Sequence, residues 1–150
     1  MSATGEILLV EDNRAEARLA REAFVEAGWR GNLSVVRDGG EALDFLRRAG
    51  NFSAAPRPHL ILLDLNLPRK DGREVLREIK TDRDLRRIPV IVLTTSQARE
   101  DILTAYDLQA NCYITKPVDM NRFVEVLKAL QKFWFTLARL PDAPEQTAPR

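Results

Sequence analysis

The chain has 150 residues, a length that one domain fills and that leaves little room for a second folded module. Its 23 Lys and Arg residues are balanced by 22 Asp and Glu residues, so the overall charge gives no reason to expect a nucleic acid or an anionic membrane as partner. No apolar stretch approaches the roughly 20 residues that span a bilayer, the N-terminus has no secretory signature, and the single cysteine, Cys112, excludes an internal disulfide, so we expect a cytoplasmic protein.

The first half of the chain alternates short apolar runs with segments of helical periodicity. The run at 7–10 predicts a buried strand, and Asn13 can cap a following helix that ends near Gly28. The shorter run at 33–36 predicts a second strand, and a second helix begins near Gly40. Continuous apolar runs of this length are typical of strands that are buried on both faces of a parallel sheet.

The second half repeats this alternation. After a polar loop at 51–58, a strand at 60–63 is followed by a turn at 68–72 and a third helix. The run at 89–93 predicts a fourth strand, and weaker periodicity predicts a helix at 98–108. The remaining predicted elements are a strand at 112–114, a helix of about 30 Å from the cap Asp119 to Ala138, and a disordered tail at 139–150. Five strands alternating with five helices indicate an α/β domain with right-handed crossovers.

Charged and polar residues follow the predicted strands. Glu11 and Asp12 follow the first strand, Asp64 the third and Thr94 the fourth, while Lys116 lies just beyond the fifth. Because the carboxyl ends of parallel strands meet at one edge of a sheet, we expect these side chains to converge there and to form the active site. The alternative for the acidic pair is that it only caps the first helix and complements its dipole.

Over residues 5–138 the chain resembles the receiver domain of two-component response regulators. Five pieces in family order carry the match: Glu11-Asp12 within Leu8-Leu9-Val10-Glu11-Asp12-Asn13, Asp64 within Leu62-Leu63-Asp64-Leu65-Asn66-Leu67-Pro68, Asp71-Gly72, Thr94, and Lys116-Pro117. The resemblance implies a flavodoxin-like, doubly wound five-stranded parallel sheet of strand order 2-1-3-4-5 with five helices.

The resemblance also implies a chemistry. Asp64 would accept a phosphoryl group from a histidine kinase, and Mg²⁺ would be bound by Glu11, Asp12, Asp64 and the backbone carbonyl of Asn66. A cation is needed because a dianionic phosphoryl group is repelled by the carboxylate that it approaches. Such a protein catalyses only its own phosphorylation and dephosphorylation, so we do not expect an enzyme that acts on a separate substrate.

Three further residues complete the implied site. Lys116 would pair with a phosphoryl oxygen, turned inward by a cis Lys116–Pro117 bond. Thr94 would donate its hydroxyl to the phosphoryl group, and Tyr113 would then swing inward and change the surface over strands four and five. The alternatives are a solvated surface lysine, a β-branched strand residue and a tyrosine that is simply packed. Thr95 stands where the family often has alanine, which bears on the lifetime of phospho-Asp64.

The last predicted helix ends in the aromatic cluster Phe133-Trp134-Phe135. Exposed aromatic side chains are costly, so this cluster predicts a partner or a second copy of the chain, and the alternative is that Trp134 folds back onto its own domain. This ending, with the segments 111–116 and 64–68, is similar to the stand-alone regulators paired with bacterial phytochrome kinases. That resemblance implies a bacteriophytochrome as kinase and a homodimer formed through helix four, strand five and helix five.

Two other functions compete with this one. A phosphohydrolase of the haloacid dehalogenase type also uses a strand-terminal Asp, Mg²⁺ and a lysine. That family places a second Asp two residues after the nucleophile, where this chain has Asn66, and it needs a cap domain. The other alternative is a receiver that is never phosphorylated and serves only as a docking protein.

Overall fold

Five parallel strands form the sheet in a computed structural model that describes residues 5–141. They are β1 (Glu6–Val10), β2 (Asn32–Val36), β3 (Leu60–Leu63), β4 (Val90–Thr94) and β5 (Cys112–Thr115). The strand order is β2-β1-β3-β4-β5, which confirms the predicted flavodoxin-like arrangement. No helix in this range is both long and apolar enough to cross a membrane.

Five α-helices connect and follow the strands. They are α1 (Arg14–Glu26), α2 (Gly39–Arg47), α3 (Gly72–Thr81), α4 (Arg99–Asp107) and α5 (Met120–Lys132). The side chain preceding each of four of them accepts a hydrogen bond from a backbone N–H of the first turn; these caps are Asn13, Asp38, Asp71 and Asp119. The residue before α4 is Ala98, which cannot cap in this way.

The strand register explains why the strand ends meet. Val10, the last residue of β1, pairs with Val36 on one side and Leu63 on the other. The acidic residues that follow β1 and β3 are therefore side by side at the carboxyl edge of the sheet. Since Leu63 pairs with Val92, β4 extends beyond β3 and brings Thr94 to the same edge.

The sheet separates two apolar clusters. Alternate residues of β1 show the division, since Leu8 and Val10 belong to the cluster under α2, α3 and α4, whereas Ile7 and Leu9 belong to the cluster under α1 and α5. A strand buried on both faces must be apolar at every position, which is why the runs were continuous in the sequence. Full burial of one such side chain contributes about 1.5–3 kcal/mol to the free energy of folding.

Some predicted details are wrong. The last α-helix ends at Lys132 and continues as a π-helical turn, Phe133–Leu137, in which the Ala138 N–H donates to the Phe133 carbonyl. Leu19 of α1 is 47% exposed although it is apolar, and it lines a hollow with residues of the loop after β5. Leu140 is buried although it falls in the predicted tail, and residues 142–150 of that tail lie outside the described residues.

Candidate functional site: an acidic pocket at the carboxyl edge of the sheet

Three carboxylates converge at the carboxyl edge, as the sequence predicted. One oxygen each of Glu11, Asp12 and Asp64 lies within 4.8 Å of the others. Glu11 and Asp64 are buried, whereas Asp12 is exposed and opens the cluster to solvent. Carboxylate oxygens at this spacing fit a hard divalent cation, which prefers several oxygen ligands and retains waters at its open positions. The Asn66 N–H donates to Asp64 Oδ1 at 3.1 Å, and the role of the Asn66 carbonyl as a metal ligand stays a prediction.

Lys116 reaches into this acidic pocket. Its ammonium donates to Glu11 Oε1 and to Glu16 Oε1, each at 2.5 Å, and lies 3.6 Å from Asp64 Oδ2. The Lys116 side chain is only 10% exposed, which excludes the alternative of a solvated surface lysine. Sequence reasoning missed Glu16, and the available signal was an acidic side chain in the first turn of the helix that follows the acidic pair.

The ionisation of the pocket follows from burial and pairing. Burial raises the pKa of the Glu11 carboxyl, opposed by the hydrogen bond from Lys116. Burial also disfavours the Lys116 ammonium, but the hydrogen bonds to Glu11 and Glu16 outweigh it and raise the pKa of the lysine. One ammonium thus faces several carboxylates, and the excess negative charge favours a bound cation.

The predicted cis bond is not found. The described residues contain no cis peptide bond, so Lys116–Pro117 is trans and that prediction is wrong. The trans form is intrinsically preferred before proline, and the four-carbon stem of Lys116 is long enough to bring the ammonium to Glu11 without a cis turn.

Thr94 is fully buried at the end of β4. Within the described part of the chain, its hydroxyl and one oxygen of Glu6 are the buried side-chain atoms without a hydrogen-bond partner. An unpaired buried hydroxyl costs about 1–3 kcal/mol, so a residue placed this way needs a reason beyond packing. The role of this hydroxyl as a donor to a phosphoryl group on Asp64 stays a prediction.

Tyr113 of β5 contacts the loop that follows Thr94. Its hydroxyl donates to the Ser96 carbonyl at 2.9 Å, and its half-buried ring packs against the cluster under α2, α3 and α4. Its backbone N–H donates to the Tyr106 hydroxyl at 3.1 Å. Tyr113 of β5 is therefore hydrogen-bonded to the loop that follows Thr94, so this loop links the two predicted switch residues.

A close backbone contact explains why the residue after Asp71 is a glycine, Gly72. A Cβ at this position would lie 2.3 Å from the Asp64 carbonyl oxygen and 2.6 Å from the Leu65 Cα. Only glycine lets the start of α3 press against the chain at Asp64. The backbone that carries Asp64 is thereby held between β1 and α3.

The aromatic ending divides into two parts. Phe133 is 51% exposed and its ring lies 5.1 Å from that of Trp134. Phe135 turns back onto its own domain, where its ring lies 4.9 Å from that of Trp29. The prediction that Phe135 belongs to a partner surface is therefore wrong, because the π-helical turn directs this side chain inward. Trp134 is half-buried and lines an apolar groove with Phe133.

Comparisons with known proteins show which family the chain resembles in sequence and structure. Residues 7–128 match the model of the response regulator receiver domain. The chain is 47% identical over 137 residues to the response regulator Rcp1 of Synechocystis sp., covering 91% of this chain and 93% of Rcp1. It resembles the crystal structure of the phosphorylated cyanobacterial phytochrome response regulator RcpA at 50% identity, with a TM-score of 0.88 over 93% of this chain and 100% of RcpA. The Mn²⁺-bound form of Rcp1 matches at 46% identity, with a TM-score of 0.83 over 91% of this chain and 99% of that structure.

These findings agree with the geometry of the pocket. The segment that matches the family contains the three carboxylates together with Thr94, Tyr113 and Lys116. A relative of this chain binds a divalent cation, Mn²⁺, and the carboxylates of this chain form a group that fits one. Another relative, RcpA, has been crystallised in its phosphorylated form. The chain therefore belongs to the response regulator receiver family of signalling proteins, in which phosphorylation of an aspartate is expected.

Proposed function

We propose that Asp64 accepts a phosphoryl group from a histidine kinase and that Mg²⁺ is the cation that assists the transfer. The observation that supports this most is the convergence of three carboxylate oxygens within 4.8 Å with an ammonium 3.6 Å from Asp64. In this proposal the protein catalyses only its own phosphorylation and dephosphorylation and has no separate substrate.

Each residue has a defined part in the proposal. The Asp64 carboxylate is the nucleophile, and the Asn66 N–H that donates to Oδ1 leaves Oδ2 on the side of Lys116. The Lys116 ammonium and the Thr94 hydroxyl donate to oxygens of the incoming phosphoryl group. A cation bound by Glu11, Asp12 and Asp64 would neutralise charge between the carboxylate and the phosphoryl group.

Intact-mass spectrometry after incubation with acetyl phosphate tests the chemistry. The wild type is expected to gain the mass of one phosphoryl group when Mg²⁺ is present and none after EDTA treatment. Asp64→Asn is expected to gain none. Asp84→Asn, which removes an exposed carboxylate far from the pocket, serves as the matched control and should behave as the wild type. Equal phosphorylation of Asp64→Asn and wild type would contradict the proposal.

We further propose a phytochrome-type histidine kinase as the phosphoryl donor in the cell. The support is that RcpA, at 50% identity, is a phytochrome response regulator. Transfer from a purified phosphorylated phytochrome kinase of the source organism should be much faster than transfer from its other histidine kinases. Equal rates from all kinases would contradict this assignment.

We also propose a homodimer through α4, β5 and α5. The support is three features of these elements: β5 is an edge strand with half-buried side chains, Leu103 and Tyr106 of α4 are about half exposed, and a groove of about 520 Å³ runs between β5 and α5. The groove is lined by Asn111, Cys112, Ile114, Val126, Ala129, Leu130, Phe133 and Trp134. Association would remove the apolar side chains of the groove and of α4 from water.

Multi-angle light scattering tests the dimer. Phe133→Asp and Ala129→Asp, both at exposed positions, are expected to give monomers with an unchanged circular dichroism spectrum. Val25→Asp changes an equally apolar exposed position on α1 and should leave the dimer intact. A wild type that is monomeric at all concentrations, with or without acetyl phosphate, would contradict the proposal.

A further inference from the structure

A chain of polar contacts connects the start of α3 with the start of α4. Arg73 donates to both carboxylate oxygens of Asp71, at 3.1 and 3.2 Å, and through its other terminal nitrogen to Asp101 Oδ1 at 2.6 Å. Asp71 is the residue that caps α3 next to the Asp64 backbone. Arg73 thus bridges the loop after the phosphoacceptor strand and the first turn of α4.

Asp101 also holds the loop between β4 and α4. The Ser96 hydroxyl donates to Asp101 Oδ2 at 2.6 Å and accepts the Ala98 N–H at 3.2 Å. Because Ala98 has no capping side chain, Ser96 and Asp101 together close the N-terminal end of α4. The hydrogen bond from Ser96 and the ion pair with Arg73 lower the pKa of the Asp101 carboxyl, so it is ionised at neutral pH.

Ser96 is fixed at a second point, since its carbonyl accepts the Tyr113 hydroxyl. Two residues earlier is Thr94, whose buried hydroxyl has no acceptor in the described part of the chain. A phosphoryl group on Asp64 would offer that acceptor. Consecutive Cα atoms are about 3.8 Å apart, so a shift of Thr94 and Thr95 toward the phosphoryl group is passed directly to Ser96.

We propose that Arg73, Asp101 and Ser96 form a latch that holds the loop at 95–98 in its resting position, and that phosphorylation of Asp64 must open this latch. The inference rests on the proposed function of Asp64 and adds a conformational control to it. A bidentate arginine joined to two carboxylates and a serine gives one defined geometry, which favours the resting conformer over a shifted one.

The energetic consequence is a competition between two states. Every contact of the latch that is broken when the loop shifts reduces the apparent affinity of the pocket for a phosphoryl group. Weakening the latch should therefore loosen the loop before phosphorylation and favour the phosphorylated conformer. Arg73, Asp101 and Ser96 are positioning residues in this account, because they act through the loop and not on the phosphoryl group.

Hydrogen exchange with mass spectrometry tests the latch in the unphosphorylated protein. Asp101→Asn and Arg73→Gln are each expected to raise the exchange rate of the peptide at 95–101 about three- to tenfold. The effect of the double variant should be clearly smaller than the sum of the two single effects, because both substitutions break the same ion pair. Glu100→Gln and Arg77→Gln are the matched controls, because they remove one negative charge from α4 and one positive charge from α3 at exposed positions. Unchanged exchange in Asp101→Asn, or additive effects in the double variant, would overturn the proposal.

Calorimetric titration with beryllofluoride and Mg²⁺ tests the opposition to phosphorylation. Asp101→Asn and Ser96→Ala are expected to bind this phosphoryl mimic about three- to tenfold more tightly than the wild type. Affinity that is unchanged or weaker in both variants would overturn the inference. If the wild type neither binds beryllofluoride nor is phosphorylated at Asp64, the proposed function itself is wrong, and the opposition to phosphorylation falls with it. The exchange rates alone then decide whether the latch holds the loop.

Discussion

At the scale of single residues, Thr94 is placed at a cost to stability. Its hydroxyl is buried and unpaired in the described structure, although valine would fill the same space without a polar atom. A polar residue that makes the protein less stable than its apolar isostere would is expected at positions where function requires the polar atom. Thr94 differs from Glu6, the other residue with an unpaired buried atom, in that it lies at the carboxyl edge of the sheet with the three carboxylates, where the proposed function needs a hydroxyl.

Thr94→Val tests this cost. We expect the free energy of unfolding to rise by about 1 kcal/mol, because the unsatisfied hydroxyl is removed without leaving a cavity. Binding of beryllofluoride should become weaker, since one donor to the phosphoryl oxygens is lost. Urea unfolding and calorimetry measure the two quantities. Thr115→Val, at a half-buried hydroxyl, is the control, and an unfolding free energy that falls in Thr94→Val would contradict the argument.

Lys80 is a second residue whose environment is unusual. Its ammonium donates to the carbonyls of Arg86 and Ile88 and to Asn111 Oδ1, at 3.2, 3.0 and 3.0 Å, and thereby joins α3 to the segments that lead into β4 and β5. Burial lowers its pKa from the ordinary value of 10.5 to about 8. The folded protein thus releases this proton at a lower pH than the unfolded chain does.

The sign of the pH dependence follows. Between about pH 8 and pH 10.5 the unfolded chain binds more protons at Lys80 than the folded protein, so the contribution of this residue to stability rises with pH in that window. The unfolding free energy of the wild type minus that of Lys80→Met should therefore increase from pH 8 to pH 10. Lys128→Met, at an exposed position, should show no such increase. A difference that is flat across this range would contradict the assignment.

At the scale of elements, the end of α5 separates two tasks. The π-helical turn places one more residue in the turn than an α-helix does, which changes the direction of the side chains that follow. Phe133 stays on the exposed side, whereas Phe135 packs against Trp29, with the His59 ring 6.3 Å away at the amino edge of the sheet. One aromatic side chain is thus available to a partner and another stabilises the domain.

Alanine substitutions should separate these tasks. Phe135→Ala is expected to lower the unfolding free energy by about 2 kcal/mol, less than full burial would give, because the ring is only half-buried. Phe133→Ala should change it by less than about 0.5 kcal/mol and should weaken dimerisation instead. Chemical denaturation and light scattering measure the two effects. Equal destabilisation by both substitutions would contradict the division.

At the scale of the whole molecule, exposed apolar side chains lie next to the acidic pocket. Leu19 and Val118 are exposed on either side of a hollow of about 290 Å³ that includes Lys116 and Thr95. If the proposed function is right, a protein that brings a phosphorylated histidine to the buried Asp64 would contact these apolar side chains next to Lys116. Apolar side chains at such a rim favour a large partner over a small phosphodonor.

Val118→Glu tests this contact. Transfer from a phosphorylated histidine kinase is expected to fall about tenfold or more, because the charge replaces an apolar contact. Phosphorylation by acetyl phosphate, which needs no protein contact, should stay within about twofold of the wild type. Val25→Glu, on the distant end of α1, is the control with the same change of side chain. An equal loss with both phosphodonors would show that Val118→Glu disturbs the pocket itself.

The fold could be predicted from the amino-acid sequence, because strands buried on both faces are apolar throughout and their carboxyl ends must share one edge. Asp64, Glu11, Asp12 and Lys116 could be predicted as a cluster from their places after strands. Contacts between side chains of distant elements, such as Glu16 with Lys116 and Arg73 with Asp101, could be seen only in the folded protein. The tertiary structure also shows which aromatic side chain faces solvent and that Lys116–Pro117 is trans. The spacing of apolar residues predicts where a strand or helix forms and which of its faces is buried. Contacts between residues far apart in the sequence depend instead on how the elements pack in three dimensions, and the spacing within one element carries no information about that packing.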